Sequence, residues 1–199
     1  MLNYIEEGMT TLHPLLAGRW STRWFDRNHV LADGELTRLV EAVRWAPSAG
    51  NSQPWRIGIA RRGSAEFDAL VSALAPGNAI WAGHASALVL VAGEYVGGDG
   101  AVRPWADYDA GQAAAHLSVQ AEADGLAVHQ MGGFDADRAR AAFALPEGVR
   151  PLVVIAVGRR DPNAVLPEPF AAREAAPRTR LPLDEILLAP AVDTLPLSA

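Results

Sequence analysis

The sequence predicts a single α+β domain, on three observations. Two uninterrupted apolar runs of strand length stand at 87–92 (ALVLVA) and 152–157 (LVVIAV). Several other stretches space their apolar residues at helical intervals. Helices and strands then mix without the regular beat of βαβ units, which favours α+β over a doubly wound fold.

Each element has its own local reason. Asp33 can cap a helix whose Leu36, Leu39, Val40 and Val43 fall at i, i+3, i+4 and i+7, and Pro47 closes it. Residues 56–60 read as a short strand. Ser64 caps a second helix with Phe67, Leu70, Val71 and Leu74 inward. The run 87–92 is a central strand, followed by a glycine-rich turn at 97–100. Asp109 can cap a long alanine-rich helix that Gly125 ends in the left-handed conformation. Its small residues Ala113, Ala114, Ala115 and Ala121 admit the close approach of another backbone or a ligand. Residues 126–131 read as strand, Asp135 caps a short helix to about Phe143, and 152–157 is the second buried strand. Past Gly158 the chain is rich in proline and charge to Arg180, with a short amphipathic piece at 183–188.

With 199 residues, 50% hydrophobic and 20% charged, the chain can bury one good core. We expect one domain over 1–199, with its core at about 15–190. The net charge of −6 argues against nonspecific binding to nucleic acid or an anionic membrane, so any anion site must be a local arginine cluster. The lack of cysteine removes disulfides, thiolate metal sites and cysteine nucleophiles, and fits a cytoplasmic protein. The first residues, Met-Leu-Asn-Tyr-Ile-Glu-Glu, are unlike a secretory signal, and no run reaches the roughly 18 apolar residues of a membrane span. Nucleotide-binding glycine fingerprints, a hydrolase nucleophile elbow and metal-ligand spacing among the five histidines are all missing from the sequence.

Three segments carry chemistry. Arg19, Ser21 and Arg23 alternate; they either converge on one anion or edge a solvated surface. Arg178 and Arg180 repeat the basic pattern near the other end. Residues 47–55 (PSAGNSQPW) place two amide side chains, a hydroxyl and a glycine between a helix and a strand. That loop either satisfies its own backbone or turns its amides toward a ligand. Residues 130–135 (QMGGFD) expose glycine backbone between a strand and a helix, again as a plain turn or as a site for partial negative charge.

Taken together and in this order, the segments resemble the FMN-dependent nitroreductase family from Arg19 to Ile186. The resemblance implies a sandwich with a mostly antiparallel sheet flanked by helices, an intertwined homodimer, and FMN sites shared between subunits. Arg19, Ser21, Arg23, Arg178 and Arg180 would then grip the FMN phosphate and ribityl chain. Trp20 departs from the pattern, since many members carry a second basic residue there. Pro47, Ser48, Ala49 and Asn51 would reach the flavin of the opposite subunit, while Gln53 and Trp55 shape the turn. Gly132 and Gly133 would set backbone amides beside the ring, and Asn78, in a loop, matches a flavin-contacting amide of some relatives.

Asp109 is read as a helix cap before a site residue. The implied chemistry takes hydride from NADH or NADPH and reduces small-molecule oxidants such as nitroaromatics or quinones by a ping-pong mechanism, with no side chain as general acid or base. Dehalogenation, flavin fragmentation, and flavin holding without turnover are the alternatives within the resemblance. Trp81 and Trp105 are either lids over an aromatic substrate or packing, the commoner role of tryptophan in a domain of this size.

Overall fold

Strand β2 (Ala87–Glu94) carries no polar side chain before its last residue because helices cover both of its faces. Leu88 and Leu90 enter one layer, Val89 and Val91 the other, and all four are buried. With β1 (Trp55–Arg61), β3 (Ala127–Met131) and β4 (Val149–Gly158) it forms a four-stranded antiparallel sheet in the order β1-β2-β4-β3. Leu90 lies opposite Gly58 on one side and Val154 on the other. The β2–β4 register shifts between Val91 and Ala92. The computed structural model describes residues 12–188. The opening residues and the expected core limit at 190 lie outside them.

Helices α2 (Asp33–Arg44) and α5 (Ala106–Ala123) pack on one face through Leu39, Val43, Ala110, Ala113 and Leu117. On the other face lie α3 (Ala65–Ala73), α4 (Pro76–Ala82), α6 (Ala136–Ala142) and α7 (Phe170–Ala175), which contribute Phe67, Leu70, Trp81, Ala139 and Phe170. Each fully buried leucine contributes about 1.5–3 kcal/mol relative to exposure. Two further short helices, α1 (Pro14–Gly18) and α8 (Leu183–Ile186), flank the ends. Among the described residues no helix is long and apolar enough to cross a membrane. None of their His, Asp and Glu residues form a group that could hold a metal.

The expected caps at Ser64 and Asp135 are present: Ser64 Oγ accepts from Phe67 N, and Asp135 accepts from Asp137 N and Arg138 N. Gly125 takes φ +69° just past α5. Two expected caps differ. Ala32 is the N-cap of α2, where Glu35 accepts from its N–H, because the Asp33 carboxylate is paired with Arg61. Helix α5 begins three residues before Asp109, so Asp107 and Asp109 both lie in its first turn, where the helix dipole favours anions. Helices α1, α4 and α7 were not anticipated. Each is only five to seven residues long, too short for a readable period. Asn78 therefore lies in the first turn of α4, not in a loop.

Gly58 has a packing reason: a Cβ there would stand 2.8 Å from the Phe143 ring. Gly58→Ala should lower unfolding free energy by about 1–3 kcal/mol, the usual scale of overpacking. A urea midpoint equal to that of the parent protein would contradict this packing.

Candidate functional site

The chain leaves α1 at Arg19, and the strap from Arg19 to Arg23 meets the C-terminal segment at Glu174 and Arg178. Arg178 fastens it: Nη2 donates to the Ala17 carbonyl at 2.6 Å and Nη1 to that of Arg19 at 3.0 Å. Its guanidinium also stands 5.6 Å from the centre of the Trp20 ring. Arg19 donates to Ser21 Oγ at 3.2 Å. Burial lowers the proton affinity of Arg19, and the neighbouring charges of Arg180 and Arg178 lower it further. Three cations thus share one corner. Among the described residues, no carboxylate lies within ion-pair distance, 4.0 Å, of Arg19, Arg178 or Arg180. Glu122, near the end of α5, is the nearby acid; burial raises its pKa, against the pull of Arg19, Arg160 and Arg178.

Arg23 behaves differently from the other three. Its guanidinium faces Glu174 at 3.8 Å and lies 6.0 Å from the centre of the Trp81 ring. Glu174 is a residue that sequence reasoning missed. It is buried, and its carboxylate accepts from Trp20 Nε1, Thr22 Oγ1 and Arg23 N. The available signal was a charge four residues after Phe170, on the side of α7 that Phe170 marks as inward.

The segment 47–53 forms a tight loop around a short 3₁₀ turn, Ala49–Asn51. Gly50, Asn51 and Gln53 all take positive φ. Gln53 N donates to Ser48 Oγ at 3.0 Å, and Gln53 Nε2 donates to Asn51 Oδ1 at 3.2 Å. Gln53 therefore shapes the turn, while Pro47, Ala49 and Asn51 stay exposed. The buried carboxylate of Asp109 accepts from Ala49 N at 3.2 Å. Asp109 thus anchors the loop to α5 and caps no helix. A cleft of about 370 Å³ opens beside Ala49, Gly50, Arg103, Trp105 and Asp109. Trp105 is 61% exposed at its rim. Trp81 is wholly buried, so it is packing and not a lid.

At the end of β3, Gly132 and Gly133 are exposed. The Gly133 carbonyl accepts from Ala75 N at 2.9 Å and from Asn78 Nδ2 at 3.3 Å. A Cβ on Gly133 would press against Ala75 and Asn78. Helix α4 therefore links two candidate segments: Asn78 holds the glycine turn, and Trp81, one turn on, lies under Arg23. His129 of β3 packs against Trp81 at a tilt of 41° with ring centres 4.4 Å apart, and its Nδ1 meets the Thr22 carbonyl at 3.0 Å. The structure brings Arg19, Ser21, Arg178 and Arg180 together, while Arg23 and Gly133 both meet residues of α4, Trp81 and Asn78 respectively, and Gly132 adjoins Gly133 in the chain.

The loop 47–51 is not part of that group. It is anchored at Asp109 in the first turn of α5, whereas the arginine corner adjoins Glu122 at the other end. A Cβ on Gly18 would stand 2.9 Å from the Glu122 carboxylate. Thirteen residues of helix separate Asp109 from Glu122, about 20 Å at 1.5 Å per residue.

A sequence profile of the Nitroreductase family matches residues 16–92 and 64–159, which include the strap, the loop and the glycine turn but not Arg178 or Arg180. A solved structure described as an oxidoreductase containing FMN is similar with a TM-score of 0.85 and 32% identity, over 92% of this chain and 94% of that one. An uncharacterised 15.4 kDa protein of Mycolicibacterium smegmatis is 42% identical over 60% of this chain and 80% of its own length. A Polynucleobacter asymbioticus protein, provisionally named an NADH dehydrogenase/NAD(P)H nitroreductase, is 26% identical over 71% of this chain and 81% of its own length.

The site also makes stability depend on pH. Burial holds His129 below the ordinary value of 6.5, and does the same to His29 and His84. The unfolded chain then takes up these protons at higher pH than the folded one, so stability is full above about 6.5 and is lost as pH falls below it. Urea unfolding at pH 7.5, 6.5 and 5.5 should show that decline, and His129→Gln should flatten it. An unchanged slope in the variant would contradict the buried, neutral imidazole.

Proposed function

We propose that this chain, which belongs to the nitroreductase family and is an FMN-dependent oxidoreductase, takes hydride from NADH or NADPH and reduces small oxidants such as nitroaromatics and quinones. The observation that carries this reading is the corner of Arg19, Arg178 and Arg180. Three like charges without a carboxylate partner among the described residues repel one another, and a phosphate dianion removes that cost. The residues present therefore fit FMN. Arg19 and Arg180 bind its phosphate, Ser21 supplies a hydroxyl, and Arg178 holds the strap to the C-terminal segment. Asn78 and the turn it holds, Gly132 and Gly133, lie toward the ring end, where glycine amides can donate without a shielding Cβ.

Bound FMN supplies hydride transfer at a planar ring, which the protein orients and shields from water. Donor and oxidant use one exposed face in turn, a ping-pong order, and the exposed cleft at Trp105 gives both access. No side chain need move a proton at the reacting atoms.

The distance of about 20 Å along α5 supports a homodimer with shared sites. In that arrangement Pro47, Ser48, Ala49 and Asn51 of one protomer meet the ring held by its partner's strap. Ser48 keeps its hydroxyl proton for such a contact, because its oxygen already accepts from Gln53 N. The absence of cysteine fits a cytoplasmic setting.

An anaerobic absorbance spectrum tests the reading. A flavin band should bleach on addition of NADH or NADPH and return with a nitroaromatic or quinone. A band that stays yellow in excess donor would favour a flavin-holding protein, and no flavin after soaking with FMN would overturn the assignment. Arg19→Ala and Arg180→Ala should each weaken FMN binding by about 1.5–3 kcal/mol, or about 10- to 150-fold. Full occupancy in the double variant would remove the phosphate site.

A further inference from the structure

We propose that Glu174 is the positioning residue that gives the site its preference for a phosphate-bearing flavin, an inference that rests on the phosphate site read above. Three donors from one four-residue stretch converge on this buried carboxylate. Thr22 Oγ1 donates at 2.6 Å, Arg23 N at 2.9 Å and Trp20 Nε1 at 3.0 Å. Thr22 Oγ1 in turn accepts from Trp24 N at 3.0 Å, and the Thr22 carbonyl faces His129 Nδ1. The inward side of the strap is thus fixed by Glu174 and its neighbours. Trp20 and Thr22 both reach the Glu174 carboxylate, while Arg19 and Ser21, which alternate with them, bond each other at 3.2 Å.

Charge completes the argument. Glu174 is the only carboxylate within ion-pair distance of a strap arginine among the described residues, and it takes Arg23, not Arg19. The acid therefore compensates Arg23 and leaves the cluster of Arg19, Arg178 and Arg180 unpaired for an anion. Four residues later on the same segment, Arg178 grips the carbonyls of Ala17 and Arg19. The C-terminal segment thus holds the strap's donors with an acid and its acceptors with a base. Glu174 touches no ligand; it acts by aiming Arg19 and Ser21.

A residue that merely kept the protein folded would affect all flavins alike, whereas one that aims the phosphate grip would affect only those with a phosphate. The experiment is fluorescence titration of the apoprotein with FMN and with riboflavin, for the parent protein, Glu174→Gln and Thr22→Val. The parent should prefer FMN by more than about tenfold, the scale of a charged hydrogen bond. Glu174→Gln should lower FMN affinity by about tenfold and leave riboflavin affinity within about twofold. Thr22→Val, which removes one donor at nearly constant volume, should shift the same ratio by a smaller factor and carries the test if the glutamine variant does not fold. Equal losses for both flavins, or an unchanged ratio in both variants, would overturn the role of Glu174. A parent protein with no preference for FMN would instead overturn the phosphate site itself.

Discussion

Helix α5 keeps the two chemically distinctive ends of the molecule apart. One end carries Asp109, which holds the loop at Ala49; the other adjoins the strap and the arginine corner through Glu122. Its inner face is set by Ala110, Ala113, Ala114, Leu117 and Ala121, all buried against the sheet and α2. Of the small residues expected to admit a close neighbour, only Ala115 is exposed. A rigid helix of 18 residues holds its two ends apart, the separation on which the proposal of sites shared between two copies of the chain rests.

The arginine corner is paradoxical in an acidic protein until its neighbours are counted. Elsewhere arginines meet carboxylates: Arg56 and Arg103 share Glu94, Arg38 meets Asp124, and Arg61 meets Asp33. At the corner the chain instead brings cations from both ends of the sequence and steadies them with carbonyls, a hydroxyl and an indole face. Such an arrangement stays electrostatically unfavourable without an anion. On the proposed reading a dianionic group relieves that repulsion, and the net charge of −6 is no bar because the positive charge is local.

Much of this was legible in the residues themselves. The strands β2 and β4 follow from apolar runs, and the caps at Ser64 and Asp135 from local side-chain chemistry. Arg19 and Arg178 were marked by their spacing and by resemblance to a family with the same order of segments. What escaped detection acts across the chain. Glu174 finds its donors 151 to 154 residues away, and Asp109 finds Ala49 at a separation of 60. No local pattern announces such partners. Asp109 reads as a cap because an aspartate ahead of an alanine run usually is one, whereas its burial and its bond to Ala49 N decide its role. For Trp81 burial settles the choice between lid and packing in favour of packing.

The most direct measurement is subunit complementation. A variant lacking the phosphate grip, Arg19→Ala with Arg180→Ala, is mixed with one whose loop is blocked, Ala49→Trp, under conditions that let subunits exchange. Bound flavin is then measured against each variant alone. If each site joins the strap of one protomer to the loop of its partner, mixed dimers contain one intact site, and about a quarter of the parent's occupancy returns at full exchange. If flavin does not return although subunits have exchanged, both halves of the site belong to one chain, and the separation imposed by α5 has been misread.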